Sequence, residues 1–376
     1  MIKNKCKFLD TTLRDGEQTP GVSYKEEERF QIAKKLDEMG LDMIEIGFAA
    51  SGKAQVSAMK KINKYGLRAK TISLARPIES DIKMAKDAGV DGIIIVAGFS
   101  DIHLKYKFNK TCDQMVQQVL RSIDSAKEKG LYVQVSAEDG TRTDTDRLHN
   151  LAERFFNEGA DRVCISDTVG IATPKLMEEK IKAIKINDKV AVSAHCHNDF
   201  GLATINSIAA VLAGAESIAV TMNGLGERCG NASLEQCVMA LTRLYDYETN
   251  IKIERIVETA ELIEKITRLP ISPMSPVIGK NCFRHESGIH VEAILKEPSC
   301  YEAYAPEIIL RERELVLGKT NGRKAINHFG KILNENLTDV ECEWILKKVK
   351  ENADTKKQIS VEFLKGMIKE CRAAIQ

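Results

Sequence analysis

The sequence predicts a closed (β/α)8 (TIM) barrel followed by a linker and a small helical C-terminal domain. Three observations predict it. Short apolar, β-branched runs recur at Phe8-Leu9, Met43 to Ile46, Thr71 to Leu74, Ile93 to Val96, Val133 to Val135, Val163 to Ile165, Val190 to Ser193 and Ile218 to Thr221. Polar segments with helical spacing of apolar positions lie between them, so that βα units repeat at a pitch of roughly thirty residues. The first strand also leads into Asp-Thr-Thr-Leu-Arg-Asp-Gly-Glu-Gln (10–18), not into the glycine fingerprint of an open dinucleotide-binding sheet.

The elements follow in order. Ser23 with Glu26 three residues on reads as a capping box that starts the first helix, and Gly40 reads as its left-handed stop. The seventh strand ends in Val-Ser-Ala-His-Cys-His-Asn-Asp (192–199). Side chains alternate faces along a strand, so His195 and His197 point one way and Cys196 the other. Ile253 to Leu269 reads as a helix, after which Pro270, Pro273 and Pro276 stop regular structure. The polar run Phe-Arg-His-Glu-Ser-Gly-Ile-His (283–290) follows, and helical periodicity resumes from Arg323 to Ala374. The expected division is a barrel over 1–265, a linker over 266–310 and a helical part over 311–376.

Composition narrows the class. With 43% apolar and 29% charged residues and a net charge of +1, the chain offers no electrostatic reason for a nucleic-acid or membrane partner. No apolar run approaches the roughly 20 residues that span a bilayer, and the polar start leads straight into a strand. None of the ten cysteines forms a C-x-x-C pair, and Cys6, Cys164 and Cys196 lie in strand-like runs. They read as reduced thiols in a cytoplasm, with Cys229, in a glycine-rich loop, set apart.

In such a barrel, chemistry lies at the C-terminal ends of the strands, and polar groups cluster there. Strand one ends in Thr11 to Gln18, strand five in Ser136-Ala137-Glu138-Asp139, strand six in Ser166-Asp167-Thr168 and strand seven in His195 to Asp199, while strand eight leads into Asn223 to Asn231. Asp139 and Asp167 alone read as helix or loop caps. Asp15, His195 and His197 form a carboxylate-plus-two-imidazole set that suits Zn²⁺, Mn²⁺, Mg²⁺ or Fe²⁺ alike. A metal with open positions can chelate a 2-oxo acid and polarise its ketone. Arg14 is placed to stabilise charge developing on that oxygen, Thr168 to hydrogen-bond the carboxylate, and Glu138 to orient metal or substrate.

Leu-Arg-Asp-Gly-Glu-Gln (13–18), His-Cys-His-Asn-Asp (195–199) and Gly-Glu-Arg-Cys-Gly-Asn (226–231) resemble the 2-isopropylmalate/homocitrate/citramalate synthase family, metal-dependent barrels that condense acetyl-CoA with a 2-oxo acid. Ser-Gly-Ile-His (287–290) and Leu-Val-Leu-Gly-Lys (315–319) extend the resemblance along the chain. It implies Asp15, His195, His197 and Asn231 as metal ligands or neighbours. It implies Arg14, Gln18, Leu74, His103, Ser136 and Thr168 around the 2-oxo acid, Glu138 at the metal or just outside it, and Asn223 and Gly224 at acetyl-CoA. His290 and Tyr301 match linker residues that reach the partner subunit's active site and assist enolisation, implying a homodimer with shared sites, whereas His285 reads as interdomain packing. Arg29 replaces the lysine that usually closes the first signature, with little consequence expected on a helix.

The second substrate is less marked. Lysine-pathway homocitrate synthases present a histidine on strand three and an arginine on strand five to a distal carboxylate, where this chain has Leu74 and Gln134. Leu74 with its Ser-Leu-Ala-Arg context, and His103, resemble isopropylmalate synthases, whereas the short C-terminal part resembles homocitrate synthases. Homocitrate synthase is the first expectation and isopropylmalate synthase the second. Arg76 and Arg142, just past strands three and five, are the candidates to meet a distal carboxylate. Citramalate synthase and a 3-hydroxy-3-methylglutaryl-CoA lyase-like enzyme are further alternatives. A non-catalytic scaffold would leave the metal set without a role.

Overall fold

The computed structural model describes residues 4–186, 190–354, 359 and 361–375. They form two compact units, one running to Ile271 and one from Ser272 onward.

The first unit is a closed parallel barrel of eight strands in sequential order. Its strands are β1 (Lys7–Asp10), β2 (Met43–Phe48), β3 (Lys70–Ala75), β4 (Gly92–Gly98), β5 (Tyr132–Glu138), β6 (Arg162–Asp167), β7 (Val192–Cys196) and β8 (Ser217–Val220). The barrel closes where β1 pairs with β8, Lys7 opposite Ser217 through Asp10 opposite Val220. Helices α1 (Glu26–Met39), α2 (Lys53–Tyr65), α3 (Glu79–Asp87), α4 (Cys112–Glu128), α5 (Thr145–Asn157), α6 (Pro174–Ile184), α7 (Ala203–Leu212) and α8 (Leu234–Leu244) follow the strands in turn. A further helix, α9 (Ile256–Thr267), belongs to the same unit. Leu9, Met43, Ile72, Ile94 and Ala219 fill part of the barrel interior. Branched and small apolar side chains from successive strands thus make the packed floor on which the polar strand ends stand.

Two local expectations are corrected. Helix α1 starts at Glu26, not after a cap at Ser23, and the Glu28 carboxylate accepts the Lys25 backbone N–H at 2.8 Å. A tertiary contact overrides the local box: Tyr24 is buried and donates its backbone N–H to Glu17 Oε1 at 2.9 Å, which keeps the entry extended. Strand β7 starts at Val192 and runs on through Cys196, because β6 supplies partners that far, Ser166 opposite His195 and Asp167 opposite Cys196. Gly40 ends α1 at φ 99°, and a Cβ there would strike the Asn250 carbonyl, so glycine is required.

The second unit contains a two-stranded sheet, β9 (Arg284–His285) with β10 (Glu314–Leu315), and helices α10 (Gly288–Ile294), α11 (Arg323–Ile332), α12 (Asp339–Asp354) and α13 (Val361–Ile375). Ile326, Ile345, Val349, Leu364 and Ile368 form its core. Among the described residues, no helix is long and apolar enough to cross a membrane.

Candidate active site

The turn after β1 is wound tightly, with the Arg14 and Asp15 backbone N–H groups donating to Thr11 O at 3.0 and 2.8 Å. Thr12 fastens this turn to the end of β8: its hydroxyl donates to Asp10 Oδ2 at 3.0 Å and accepts the Met222 N–H at 2.9 Å. Asp15 is thereby fixed facing the two histidines of β7. His195 Nε2 and His197 Nε2 stand 3.2 Å apart, and Asp15 Oδ2 lies 3.4 and 3.9 Å from them. One ligand atom from each of the three residues falls within 4.8 Å of the others.

The electrostatics suit a cation. Burial works to raise the Asp15 carboxyl, but the Arg14 guanidinium and both imidazoles outweigh it and hold it well below the usual carboxylate range. Burial, with His195 beside it, pushes His197 down to about 4. The imidazole therefore faces the carboxylate in its neutral, metal-ligating form. Asn231 offers an amide oxygen as a fourth donor. It is buried, bridges to His197, donates its amide to Leu225 O at 2.9 Å, and leaves Oδ1 with no protein partner. A Cβ at Gly226 (φ 151°) would collide with that amide and crowd Asp15, so the glycine lets the loop fold over the site. This donor set, two imidazoles, a carboxylate and an orphaned amide oxygen, fits a divalent metal.

Arg14 is held between two acids, with Nε donating to Glu45 Oε2 at 2.8 Å and Nη1 to Asp15 Oδ2 at 2.6 Å. Burial works against its charge, and the two carboxylates more than restore it. Burial raises the Glu45 carboxyl, against the pull of Arg14.

These groups open into a cavity of about 430 Å³. Of the residues expected at the site, Arg14, Asp15, Gln18, Leu74, Ser136, Glu138, Thr168, His195 and His197 line it. Ser136 Oγ pairs with Ser166 Oγ at 2.8 Å, and Thr168 Oγ1 accepts the Asp139 N–H at 2.8 Å. Glu138 is held by Lys107, whose Nζ lies 2.6 and 2.7 Å from its two oxygens.

Other expected residues stand elsewhere. His103 lies off the cavity wall, its Nδ1 3.5 Å from Glu138 Oε2, on a π-helical turn (His103–Phe108). Asn223 turns away from the cavity, its amide donating to Ala260 O of α9 at 3.0 Å and its backbone N–H to Glu235 Oε2 at 3.2 Å, and Gly224 follows it off the wall. Arg142 is corrected as a substrate candidate: its Nε donates to Asp139 Oδ1 at 2.7 Å and it does not line the cavity. Asp167 serves as a loop cap, accepting from Thr141 Oγ1 at 2.9 Å and from the Ile171 and Ala172 N–H groups. In the second unit, the exposed His290 and Tyr301 rings stack at 4.0 Å, and His285 contacts Glu302 at 3.2 Å.

Glu45 and Lys107 line the cavity without a role expected from the sequence, and Glu227 and Arg228, marked there only within the 226–231 motif, line it too. Glu45 carried a signal. An acid between Ile44 and Ile46 in a buried strand faces the barrel interior and needs a cation. Arg228 is marked only as part of the Gly-Glu-Arg-Cys-Gly-Asn motif, and its pairing with Asp199 at 2.7 and 2.9 Å is a contact that spacing does not reveal.

Comparison with known proteins agrees with this layout. The HMGL-like family model matches residues 5–263, and the model described as "Homocitrate synthase post-HMGL domain-like" matches residues 277–357. The chain is 44% identical to the (R)-citramalate synthase CimA of Methanocaldococcus jannaschii over 97% of its own length and 74% of that protein's. It is 42% identical to the homocitrate synthase AksA of Methanothermobacter thermautotrophicus, with 99% and 95% covered. It is also 42% identical to a 2-isopropylmalate synthase of Sulfurisphaera tokodaii, with 96% and 94% covered. Among solved structures, the HMG-CoA lyase of Bacillus subtilis superposes with a TM-score of 0.66 at 21% identity, covering 74% of this chain and 98% of that one, a likeness of fold. The chain belongs to the HMGL-like family, on the branch that holds the citramalate, homocitrate and 2-isopropylmalate synthases.

Proposed function

We propose that this protein is an acyltransferase that condenses acetyl-CoA with a 2-oxo acid, and that the acid is 2-oxoglutarate, giving homocitrate and free CoA. The observation that carries the condensation is the buried Asp15, His195 and His197 set with Arg14 against it, opening into one cavity. Asp15, His195, His197 and Asn231 would hold a divalent cation there, which would supply Lewis-acid chemistry at the ketone of the acid.

The protein's own groups do the rest. Arg14, fixed between Glu45 and Asp15, presents a guanidinium whose charge meets the oxyanion that develops as the ketone carbon is attacked. Thr168 and Ser136 offer hydroxyls to the acid's carboxylate. A base removes a proton from the acetyl methyl group, the resulting carbon bonds to the ketone carbon, and the alkoxide takes up a proton. Water then cleaves the thioester and CoA leaves as the thiol. The stacked His290 and Tyr301, from a second copy of the chain, are assigned to the enolisation step, and Glu138 to orienting the reactants.

Two findings support 2-oxoglutarate. Residues 277–357 match the model described as "Homocitrate synthase post-HMGL domain-like", and a homocitrate synthase is matched over 95% of its length. One observation favours a second reading, 2-oxoisovalerate: the cavity wall includes Leu74, Ile94 and Val96. Chain length does not separate the two, since a 2-isopropylmalate synthase is matched over 94% of its length. The test is release of CoA thiol from acetyl-CoA with Mg²⁺, Mn²⁺ or Zn²⁺ and a panel of 2-oxo acids. Thiol release that needs a 2-oxo acid supports the synthase, and cleavage of a hydroxyacyl-CoA in its place contradicts it.

A further inference from the structure

Resting on the synthase reading above, we infer that Arg76 is the specificity residue of the site, binding the distal carboxylate of a dicarboxylic 2-oxo acid across the cavity from the metal set. The ligand set comes from the ends of β1 and β7, with Asn231 on the loop after β8. In a closed barrel of sequential strands, β3 lies four strands from β7, on the far side of the mouth. A 2-oxo acid anchored by its C1 and C2 oxygens on the first side extends its tail toward β3 and β4.

The cations on the cavity wall are Arg14, Arg76, Lys107 and Arg228. Arg14 is committed to Glu45 and Asp15 at the anchoring end. Lys107 is bound by both oxygens of Glu138, itself a wall residue, so a second carboxylate beside it would meet a like charge. Arg228 follows β8 and joins Asp199 and Thr168 O, again on the anchoring side. Arg76 differs from all of these.

Its counter-ion, Asp81, is buried in the first turn of α3 and is not part of the wall. Asp81 takes Nε at 2.8 Å, one terminal nitrogen at 2.9 Å and the Arg76 backbone N–H at 3.0 Å. The Phe48 ring lies 5.7 Å beneath the guanidinium carbon. These contacts fix the planar fork from behind, while the side chain stays 59% exposed. A guanidinium carries five N–H donors, so this anchoring leaves donors over for a carboxylate. Leu74, near the end of β3, lines the wall and gives the methylenes of the tail an apolar path. The arrangement accounts for a dicarboxylate site at a place where neither Leu74 nor Gln134 supplies a charge.

The test compares wild type with Arg76→Met and Arg76→Lys, in the presence of Mg²⁺, for 2-oxoglutarate against 2-oxobutyrate. Two quantities are read: calorimetric affinity, and kcat/KM by thiol release. Loss of charge-assisted hydrogen bonds to the tail should lower the 2-oxoglutarate to 2-oxobutyrate ratio on the order of 10²-fold in Arg76→Met, mostly in KM, with partial rescue in Arg76→Lys. An unchanged ratio, or equal loss for both acids with a lowered Tm, overturns the inference and assigns Arg76 a structural role. Selective 2-oxoglutarate binding that depends on Arg76 without any thiol release would sink the synthase reading and leave the subsite standing.

Discussion

On the β1, β7 and β8 side of the barrel mouth, Asp15, His195, His197 and Asn231 are buried and interlocked, with Arg14 wedged between Asp15 and Glu45. On the β3 and β4 side the wall is Leu74, Ile94 and Val96, with Arg76 and Lys107 exposed at its rim. The first side holds charge where solvent screening is weak, so each group there is strongly coupled to the next. The second keeps its charges near water, where ion pairs between protein groups are screened more strongly. On the proposed reading, a site so divided would keep its bond-making chemistry while its choice of acid changed, because the two tasks share no side chain.

That contrast can be broken from its charged side first. Replacing Asp15 or His195 with alanine should prevent divalent-metal binding and abolish thiol release, with metal content read by elemental analysis. A variant that stayed metal-free yet turned over would place the chemistry elsewhere.

Arg14→Lys keeps a charge but loses the fork that joins Glu45 to Asp15. Turnover should fall on the order of 10²–10³-fold, as for loss of one oxyanion stabiliser. Near-normal kcat would assign the oxyanion to another group. Glu45→Gln leaves Arg14 in place without one buried counter-charge, and a loss of roughly 10–100-fold in activity or metal affinity is expected, as for other groups that position metal ligands. Equal activity in that variant would make Glu45 a packing residue only.

The rim away from the cavity should respond in stability and not in selectivity. Arg142→Ala leaves the buried Asp139 carboxylate without its cation, at a cost of roughly 1–3 kcal/mol, visible as a lower Tm. The ratio between 2-oxo acids should not move. A selective loss with 2-oxoglutarate would return Arg142 to the substrate site.

The same contrast explains what was legible in the sequence. All eight strands and the clustering of Asp15, His195 and His197 could be read ahead of the structure, because apolar runs mark strands and an H-x-H pair at a strand end has a fixed geometric meaning. Gln18, Ser136 and Thr168 followed from standing at strand ends. Asn223, Gly224 and His103 did not reach the cavity wall, because loop side chains are aimed by tertiary partners such as Ala260 O and Glu138 that spacing does not reveal. The start of α1 was missed for the same reason: the Tyr24 N–H is taken by Glu17, a contact between loop residues. Glu45 was visible as an acid in an apolar strand, but its importance lies in Arg14, which stands 31 residues away.

The most direct measurement of the account is CoA thiol release from acetyl-CoA and 2-oxoglutarate by protein stripped of metal with EDTA, then titrated with Mg²⁺, Mn²⁺ or Zn²⁺. The stripped protein should be inactive. Activity should return as one divalent ion binds per chain, and should fail to return in His195→Ala. Full activity in the stripped protein, or restoration in His195→Ala equal to wild type, would contradict a condensation built on Asp15, His195 and His197.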